Sequence, residues 1–200
     1  MNETRKNQRF FVSQKSEISE TIKTIKERRA VRAYKNKPIE KEKINEILEC
    51  GLMAPNARHL QPWKFIVVTN KDLIKEMAKR IQDKVISNPR YPFVKQRAET
   101  KKDAIFYSAP LVIFVLGDKS NHWSPLDCSF AAENMMLAAK SLGIASCPIG
   151  MARFIKDEKD LIQKLGFDEN YELIITLVFG YADEEPKPKE RNKDVIKWVE

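Results

Sequence analysis

The chain has 200 residues, of which 42% are hydrophobic, and a formal net charge of +8. This length is typical of one large domain or of two small ones, and it is sufficient for a substantial core. The apolar runs are too short to cross a bilayer, and the first residues contain no apolar stretch of signal-peptide length. We therefore expect a soluble, cytoplasmic protein without a membrane partner.

The positive charge is concentrated near the N-terminus. Residues 1–43 contain 13 Lys or Arg against 6 Asp or Glu, whereas the rest of the chain is almost balanced. A basic segment can follow a phosphate backbone, but no helix-turn-helix, zinc finger or aromatic RNA-stacking motif accompanies this one. We therefore expect solvated lysines and no nucleic-acid partner.

The three cysteines are Cys50, Cys128 and Cys147, and the chain has only two histidines. None of them stands at metal-ligand spacing, so no metal site is predicted. We expect the cysteines to be small core residues.

The first predicted elements are an arm and a helix. Residues 1–17 are expected to form a mobile arm. Ile18, Ile22 and Ile25 then recur at helical spacing, which predicts an inward apolar stripe on a helix that ends near Tyr34.

Arginines continue this stripe. Arg29 and Arg32 follow at the same spacing, and Arg28 and Arg32 are four residues apart, so on a helix they could contact one anion. Guanidinium keeps its charge and its planar fork suits phosphate. The alternative is a surface helix with salt bridges to acids such as Glu27.

The elements downstream alternate helices with apolar strands. Helices are predicted over 44–52, where Pro55 stops the helix, from 71 into the low eighties, over 124–142 and over 157–165. Strands are predicted over 64–69, 111–116, 144–149 and 171–179. This alternation indicates an α/β or α+β sandwich. The continuous apolar strands by themselves favour a parallel sheet.

Local signals mark several boundaries. Asn70 and Ser124 are suited to cap the helices that follow them, and Asp127 complements the dipole of the second. Gly143 and Gly166 are expected to end helices. We expect one domain over residues 18–200, with a tail over 181–200 and a variable lid lobe over 83–107, a charged segment that contains Pro89 and Pro92.

Three short stretches carry polar residues outside the regular elements. The loop A-P-N-A-R-H-L-Q-P-W, residues 54–63, offers side-chain donors and acceptors suited to the polar edge of a heteroaromatic ring. The sequence C-P-I-G ends at Gly150, where backbone amides could approach a flat ligand. Lys189 and Arg191 could bring two cations to a phosphate. The chain contains no G-x-S-x-G motif, so the sequence does not favour a serine hydrolase.

The order of these stretches is informative. R-R-x-V-R-x-Y is followed by A-P-x-A-x-x-x-Q-P-W-x-F, then D-x-S-x-A-A-x-N-M-x-L-A-A-x-x-L-G, P-x-G and K-x-R. This series resembles the nitroreductase family of FMN-dependent oxidoreductases from about Ile22 to Trp198. The resemblance implies an α+β fold with a central mixed or antiparallel sheet flanked by helices. It also implies an intertwined homodimer with FMN at the subunit interface and the tail embracing the partner.

The resemblance also implies the cofactor-binding residues. The FMN phosphate, ribityl chain and pyrimidine edge would be held by Arg28, Arg29, Ala30, Arg32, Lys189 and Arg191. The flavin would be approached from the other subunit by Pro55, Asn56, Ala57, His59 and Gln61. Its isoalloxazine ring would be lined by Pro148, Ile149 and Gly150. No catalytic side chain is predicted, because Arg32 would act only through its charge.

The implied activity is electron transfer from NAD(P)H through FMN to a nitroaromatic, quinone or similar conjugated acceptor by a ping-pong mechanism. Two alternatives remain open: a flavin enzyme of this fold with a narrow reaction, such as reductive dehalogenation or flavin breakdown, and a flavin-binding or basic interaction protein without turnover. Ala30, Asn56 and His59 depart from the usual family pattern of serine, serine and asparagine, which bears on redox potential and substrate choice.

Overall fold

The computed structural model describes residues 19–100 and 103–200, so the predicted arm and Ile18 lie outside the described residues. The helices are α1 (Glu20–Glu27), α2 (Lys41–Leu52), α3 (Lys71–Ile86), α4 (Pro92–Thr100), α5 (Ser124–Ser141) and α6 (Lys159–Lys164), with 3-10 helices at Ala57–His59 and Gly150–Asp157. The strands are β1 (Trp63–Val68), β2 (Leu111–Asp118), β3 (Ala145–Pro148) and β4 (Tyr171–Gly180). None of the helices described is long and apolar enough to cross a membrane.

The four strands form one sheet in the order β1-β2-β4-β3, and every neighbouring pair is antiparallel. The parallel sheet that the strand pattern favours is therefore wrong, and the α+β fold with an antiparallel sheet is confirmed. Apolar runs arise here because both faces of the central strands are covered, whatever the strand direction.

Two clusters of buried side chains lie on the two faces of the sheet. From β2, Val112 and Phe114 contribute to one cluster together with Met77 of α3. Ile113 of β2 contributes to the other cluster together with Met135 of α5. This alternation follows the two-residue period of a strand. The sheet therefore separates an α3 side from an α5 side.

Local capping follows the sequence in one case and departs from it in another. Asn70 Oδ1 accepts the amides of Asp72 and Leu73, each at 3.0 Å, so its predicted role as an N-cap is confirmed. Ser124 does not cap α5, because its hydroxyl donates to the carbonyl oxygen of Asp118 at 2.7 Å. That bond joins the start of α5 to the end of β2.

The first helix is shorter than predicted and its stripe is not inward. α1 ends at Glu27, and Ile22 and Ile25 are 46% and 53% exposed in the single chain. Beyond it the backbone is extended and pairs with the sheet edge: Ala30 forms a parallel bridge with Ser146. The prediction of a helix to Tyr34 is wrong because pairing with a distant strand outweighs the local spacing.

Much of the predicted lobe over 83–107 belongs to the main core. α3 continues to Ile86, and Val94 of α4 is fully buried. Ile105 and Phe106 are also buried, in the cluster on the α3 side of the sheet. A lid role for the exposed part of this segment stays a prediction.

Candidate flavin site

The arginine-rich segment lies along the outer edge of the sheet. The amide of Val31 donates to the carbonyl oxygen of Ser146 in β3 at 3.1 Å. Val31 and Tyr34 are buried against the core, whereas Arg32 is exposed. The expectation that Arg28 and Arg32 share one helical face is therefore wrong, since extended backbone separates them.

Arg28 and Arg29 make different contacts. Arg28 Nε lies 3.6 Å from Glu133 Oε1 of α5, and the Arg28 side chain is 22% exposed. Arg29 Nη1 donates to the carbonyl oxygens of Lys26 and Arg28 at 2.6 and 2.8 Å. Arg29 thus satisfies carbonyl groups left open at the end of α1, as basic side chains commonly do.

Arg32 is connected to two other parts of the chain. Its amide donates to the carboxylate of Glu184, which follows β4. Burial raises the pKa of the Tyr107 hydroxyl, and the guanidinium groups of Arg97 and Arg32 act to lower it. The Tyr107 hydroxyl accepts from Arg97 Nη1 at 2.9 Å, so one phenol lies close to two arginines from distant segments.

A cavity of about 510 Å³ lies between the end of α1, the start of β3 and the beginning of the tail. Its lining includes Glu27, Arg28, Arg29, Lys140, Ser146, Glu184, Glu185, Pro186 and Pro188. Three acidic and three basic side chains line this cavity, so its lining carries no net formal charge. The tail passes this cavity immediately before Lys189, so residues after β4 lie beside the end of α1. Lys189 and Arg191 are themselves exposed.

The loop between α2 and β1 has an unusual backbone. Arg58, His59 and Gln61 have φ values of 54°, 56° and 47°, in the left-handed region that non-glycine residues rarely adopt. Such conformations cost about 1–3 kcal/mol each and persist where the surroundings impose them. The backbone amide of Gln61 donates to Asn56 Oδ1 at 3.0 Å. The side-chain nitrogen Nε2 of Gln61 lies 3.2 Å from His59 Nε2.

Asp127 attaches this loop to α5. Its carboxylate oxygens accept the amide of Ala57 at 3.2 and 3.3 Å, and the residue is only 3% exposed. Pro55, His59 and Gln61 are exposed. The loop therefore presents its polar side chains outward from a buried anchor.

The end of β3 presents backbone to open space. The Ile149 amide donates to Thr176 O at 2.8 Å, and the Ile149 side chain is buried. Pro148 and Gly150 are exposed. A Cβ added at Gly150 would meet no atom within 4 Å, although the φ of Gly150 is not left-handed. A flat molecule can therefore approach this glycine closely.

Cys147 lies between these features. Burial raises the pKa of its thiol, while the guanidinium groups of Arg32, Arg28 and Arg97 act to lower it. Arginines from two segments, Arg28 with Arg32 and Arg97, thus exert their fields at Cys147, and the carboxylate of Glu184 opposes them.

A second cavity, of about 630 Å³, lies between α3 and residues 103–110. Four lysines contribute to its lining, and two of them, Lys75 and Lys79, pair with Asp72 and Asp83. It includes none of the predicted site residues, so its size alone does not make it the flavin site.

Comparison with known proteins identifies the family. The family model described as Nitroreductase family matches residues 25–181. The chain belongs to the nitroreductase family. It is similar to an Archaeoglobus fulgidus protein provisionally named an NADH dehydrogenase/NAD(P)H nitroreductase, with 31% identity over 84% of this chain and 88% of the relative.

Solved nitroreductase structures have the same fold. The Bacteroides fragilis nitroreductase with bound FMN is 33% identical, with a TM-score of 0.81, over 92% of this chain and 100% of that one. The Desulfitobacterium hafniense nitroreductase with bound FMN is 30% identical, with a TM-score of 0.84, over the same shares of the two chains.

Sequence reasoning did not find every residue of this nitroreductase site. Tyr107 and Arg97 lie in the segment expected to be a lid, and no motif marks their link to Arg32. Asp127 stands in a quoted motif, but its sequence position indicated only a charge near a helix start. A buried acid one turn into an apolar helix is the signal that could have identified it as an anchor.

Proposed function

We propose that this nitroreductase-family chain is an FMN-dependent oxidoreductase that transfers electrons from NAD(P)H to a nitroaromatic, quinone or other conjugated acceptor. The observation that carries the proposal is the meeting of the Arg28–Arg32 segment, the start of β3 and the start of the tail along one edge of the sheet. The solved relatives that contain FMN support the choice of cofactor.

The residues present fit FMN. Arg28 and Arg32 offer forked donors of the kind that phosphate accepts. Pro188 of the tail lines the same cavity as Arg28, and we assign Lys189 and Arg191, which follow it, to the same phosphate. Open space at Gly150 lets a planar ring approach the backbone. Charge-assisted hydrogen bonds of this type stabilise by about 1.5–3 kcal/mol each.

FMN, when bound, supplies the two-electron chemistry that takes hydride from a reduced nicotinamide and delivers electrons to the acceptor. The protein's part is orientation and electrostatics. Arg32, which lies close to the Tyr107 hydroxyl, would supply a positive charge that stabilises negative charge on a reduced ring. No side chain is required as a general base.

The proposed enzyme is a homodimer. Asp127 holds the loop on the buried face of α5, whereas Glu133, about 9 Å further along the helix axis and on another face, pairs with Arg28. In one chain, the loop and the arginines therefore lie on different sides of α5. A second copy is the simplest source of the loop for each flavin.

An exposed apolar surface supports this assembly. Its members are large hydrophobic residues on α1, α2 and α5 that are 45% or more exposed in the single chain: Ile22, Ile25, Leu52, Leu126 and Phe130. Leu126 and Phe130 are one turn apart on α5. Contiguous apolar surface of this kind marks protein–protein contacts. We assign the apolar end of the 181–200 tail to the same interface, embracing the partner.

The experiment is to purify the protein, record its visible spectrum and add NADH or NADPH without oxygen. A yellow protein that bleaches supports the proposal, while a colourless protein that does not bind added FMN contradicts it.

Variants test the residues. Arg28→Ala and Arg191→Ala should each lower FMN affinity about tenfold or more, as expected for loss of one charge-assisted bond. Lys75→Ala, which removes an exposed cation paired with Asp72, is the control and should not alter FMN affinity. Full FMN affinity in both arginine variants would refute the assignment.

A further inference from the structure

Five side chains form an arginine–aromatic cluster beside the candidate flavin site: Tyr91, Phe93, Arg97, Arg153 and Phe154. The Tyr91 ring packs edge to face on Phe93 and Phe154, with centroids 6.1 and 5.7 Å apart. The Arg153 guanidinium lies 5.2 Å from the Phe154 centroid, and that of Arg97 lies 5.0 Å from the Phe93 centroid. Phe93 is 40% exposed, so the cluster has an open aromatic surface.

The cluster holds two positive charges without a matching acid. Within the described parts of the chain, neither Arg97 nor Arg153 forms an ion pair; their polar contacts are the hydroxyl groups of Tyr107 and Tyr91. Arg80, by contrast, is bound by the carboxylates of Glu158 and Asp160. A neutral phenol leaves the charge of a guanidinium available to a ligand.

The cluster borders the residues proposed to line the flavin. Arg153 lies three residues after Gly150 on the same 3-10 helix, about 6 Å along the axis. Arg97 donates to the hydroxyl of Tyr107, which also lies in the field of Arg32. One cationic member is therefore linked to the glycine edge and the other to the arginine segment.

We propose that the arginine–aromatic cluster binds the electron acceptor and selects a flat conjugated molecule that carries a carboxylate. The ring of such a molecule can stack on the exposed Phe93, and its carboxylate can take paired N–H groups from Arg153 or Arg97. This inference rests on the proposed function, since it assigns the acceptor of that site.

The test compares para-nitrobenzoate with para-nitrobenzamide, which has nearly the same shape without the charge. Dissociation constants are measured by calorimetry on protein saturated with oxidised FMN, and turnover with NADH is measured separately. We expect the carboxylate to bind about tenfold or more tightly than the amide. Arg153→Gln and Arg97→Gln should each reduce that preference at least fivefold.

Lys156→Gln is the matched control, because it removes one positive charge from an exposed position on the same 3-10 helix. It should leave the preference unchanged. Equal binding of the two compounds, or a preference that survives both arginine substitutions, overturns the inference. So does an arginine variant that raises KM for NADH while the preference stays constant, because the cluster would then bind coenzyme phosphates. Selective binding without turnover upholds this inference and contradicts the proposed function.

Discussion

Gly150→Ala separates cofactor binding from folding, because the two effects should have opposite signs. A Cβ at this position meets no atom within 4 Å, and the backbone is outside the left-handed region. Alanine at such a site stabilises a protein by about 0.4–1 kcal/mol through the unfolded chain. In the proposed site the flavin ring lies against Gly150, and we expect the amide of this residue to donate a hydrogen bond to the ring. The added methyl group would interfere with that contact, and loss of one hydrogen bond of about 0.5–1.5 kcal/mol lowers FMN affinity roughly two- to tenfold.

The assay is urea unfolding of the protein without FMN, together with fluorescence titration of FMN. Gly143→Ala is the contrasting variant: it also has open space, but its φ is +73°, so alanine there is strained and should lower stability without changing FMN affinity. If Gly150→Ala binds FMN as tightly as the parent protein, the flavin does not lie against this glycine. If it unfolds more easily, the account of its surroundings is wrong.

Three further predictions concern the framework of the site. Asp127→Ala removes the buried acceptor of the Ala57 amide and should lower the free energy of unfolding, measured in urea, by about 1.5–3 kcal/mol. Asp127→Asn should lower it less, and equal losses in the two variants would contradict the role of the charge. Ile105→Ala, at a site 1% exposed, should cost about 2–5 kcal/mol, whereas a negligible cost would show that residues 83–107 form an independent lid. The hydrogen bond from Tyr181 lowers the pKa of Glu40 from 4.5 to about 2. The ionised Glu40 carboxylate therefore stabilises the folded protein above pH 4.5, and this stabilisation is lost as the pH falls towards 2. The difference in melting temperature between the parent protein and Glu40→Gln should therefore disappear in that range, and a constant difference would contradict the assignment.

Elements specified by local signals could be predicted from the sequence. α2, α3 and α5 follow from apolar spacing, and β2 and β4 from unbroken apolar runs. Their direction could not be predicted, because helices on both faces make antiparallel strands as apolar as parallel ones. The prediction of a helix beyond Glu27 was wrong for a related reason. The isoleucines and arginines there recur at helical spacing, but the backbone after α1 pairs with β3, which lies far along the chain.

The candidate site divides in the same way. The order of the motifs predicted which segments would matter, and the family match over residues 25–181 confirmed the resemblance. The contacts between those segments could not be predicted. Tyr107 accepts from Arg97 and lies close to Arg32, and Asp127 holds Ala57; each of these contacts links residues that no local pattern connects. The roles of the individual cofactor-binding residues stay predictions.

The central claim is that each flavin is held by the arginines of one chain and the loop of another. It is tested by co-expressing two tagged variants, one with Arg28→Ala and the other with His59→Ala and Gln61→Ala, and measuring FMN in each dimer. Each homodimer should be poor in flavin, whereas the heterodimer, purified through both tags, has one intact shared site and should retain one FMN. A heterodimer as poor in flavin as the two homodimers would contradict the account.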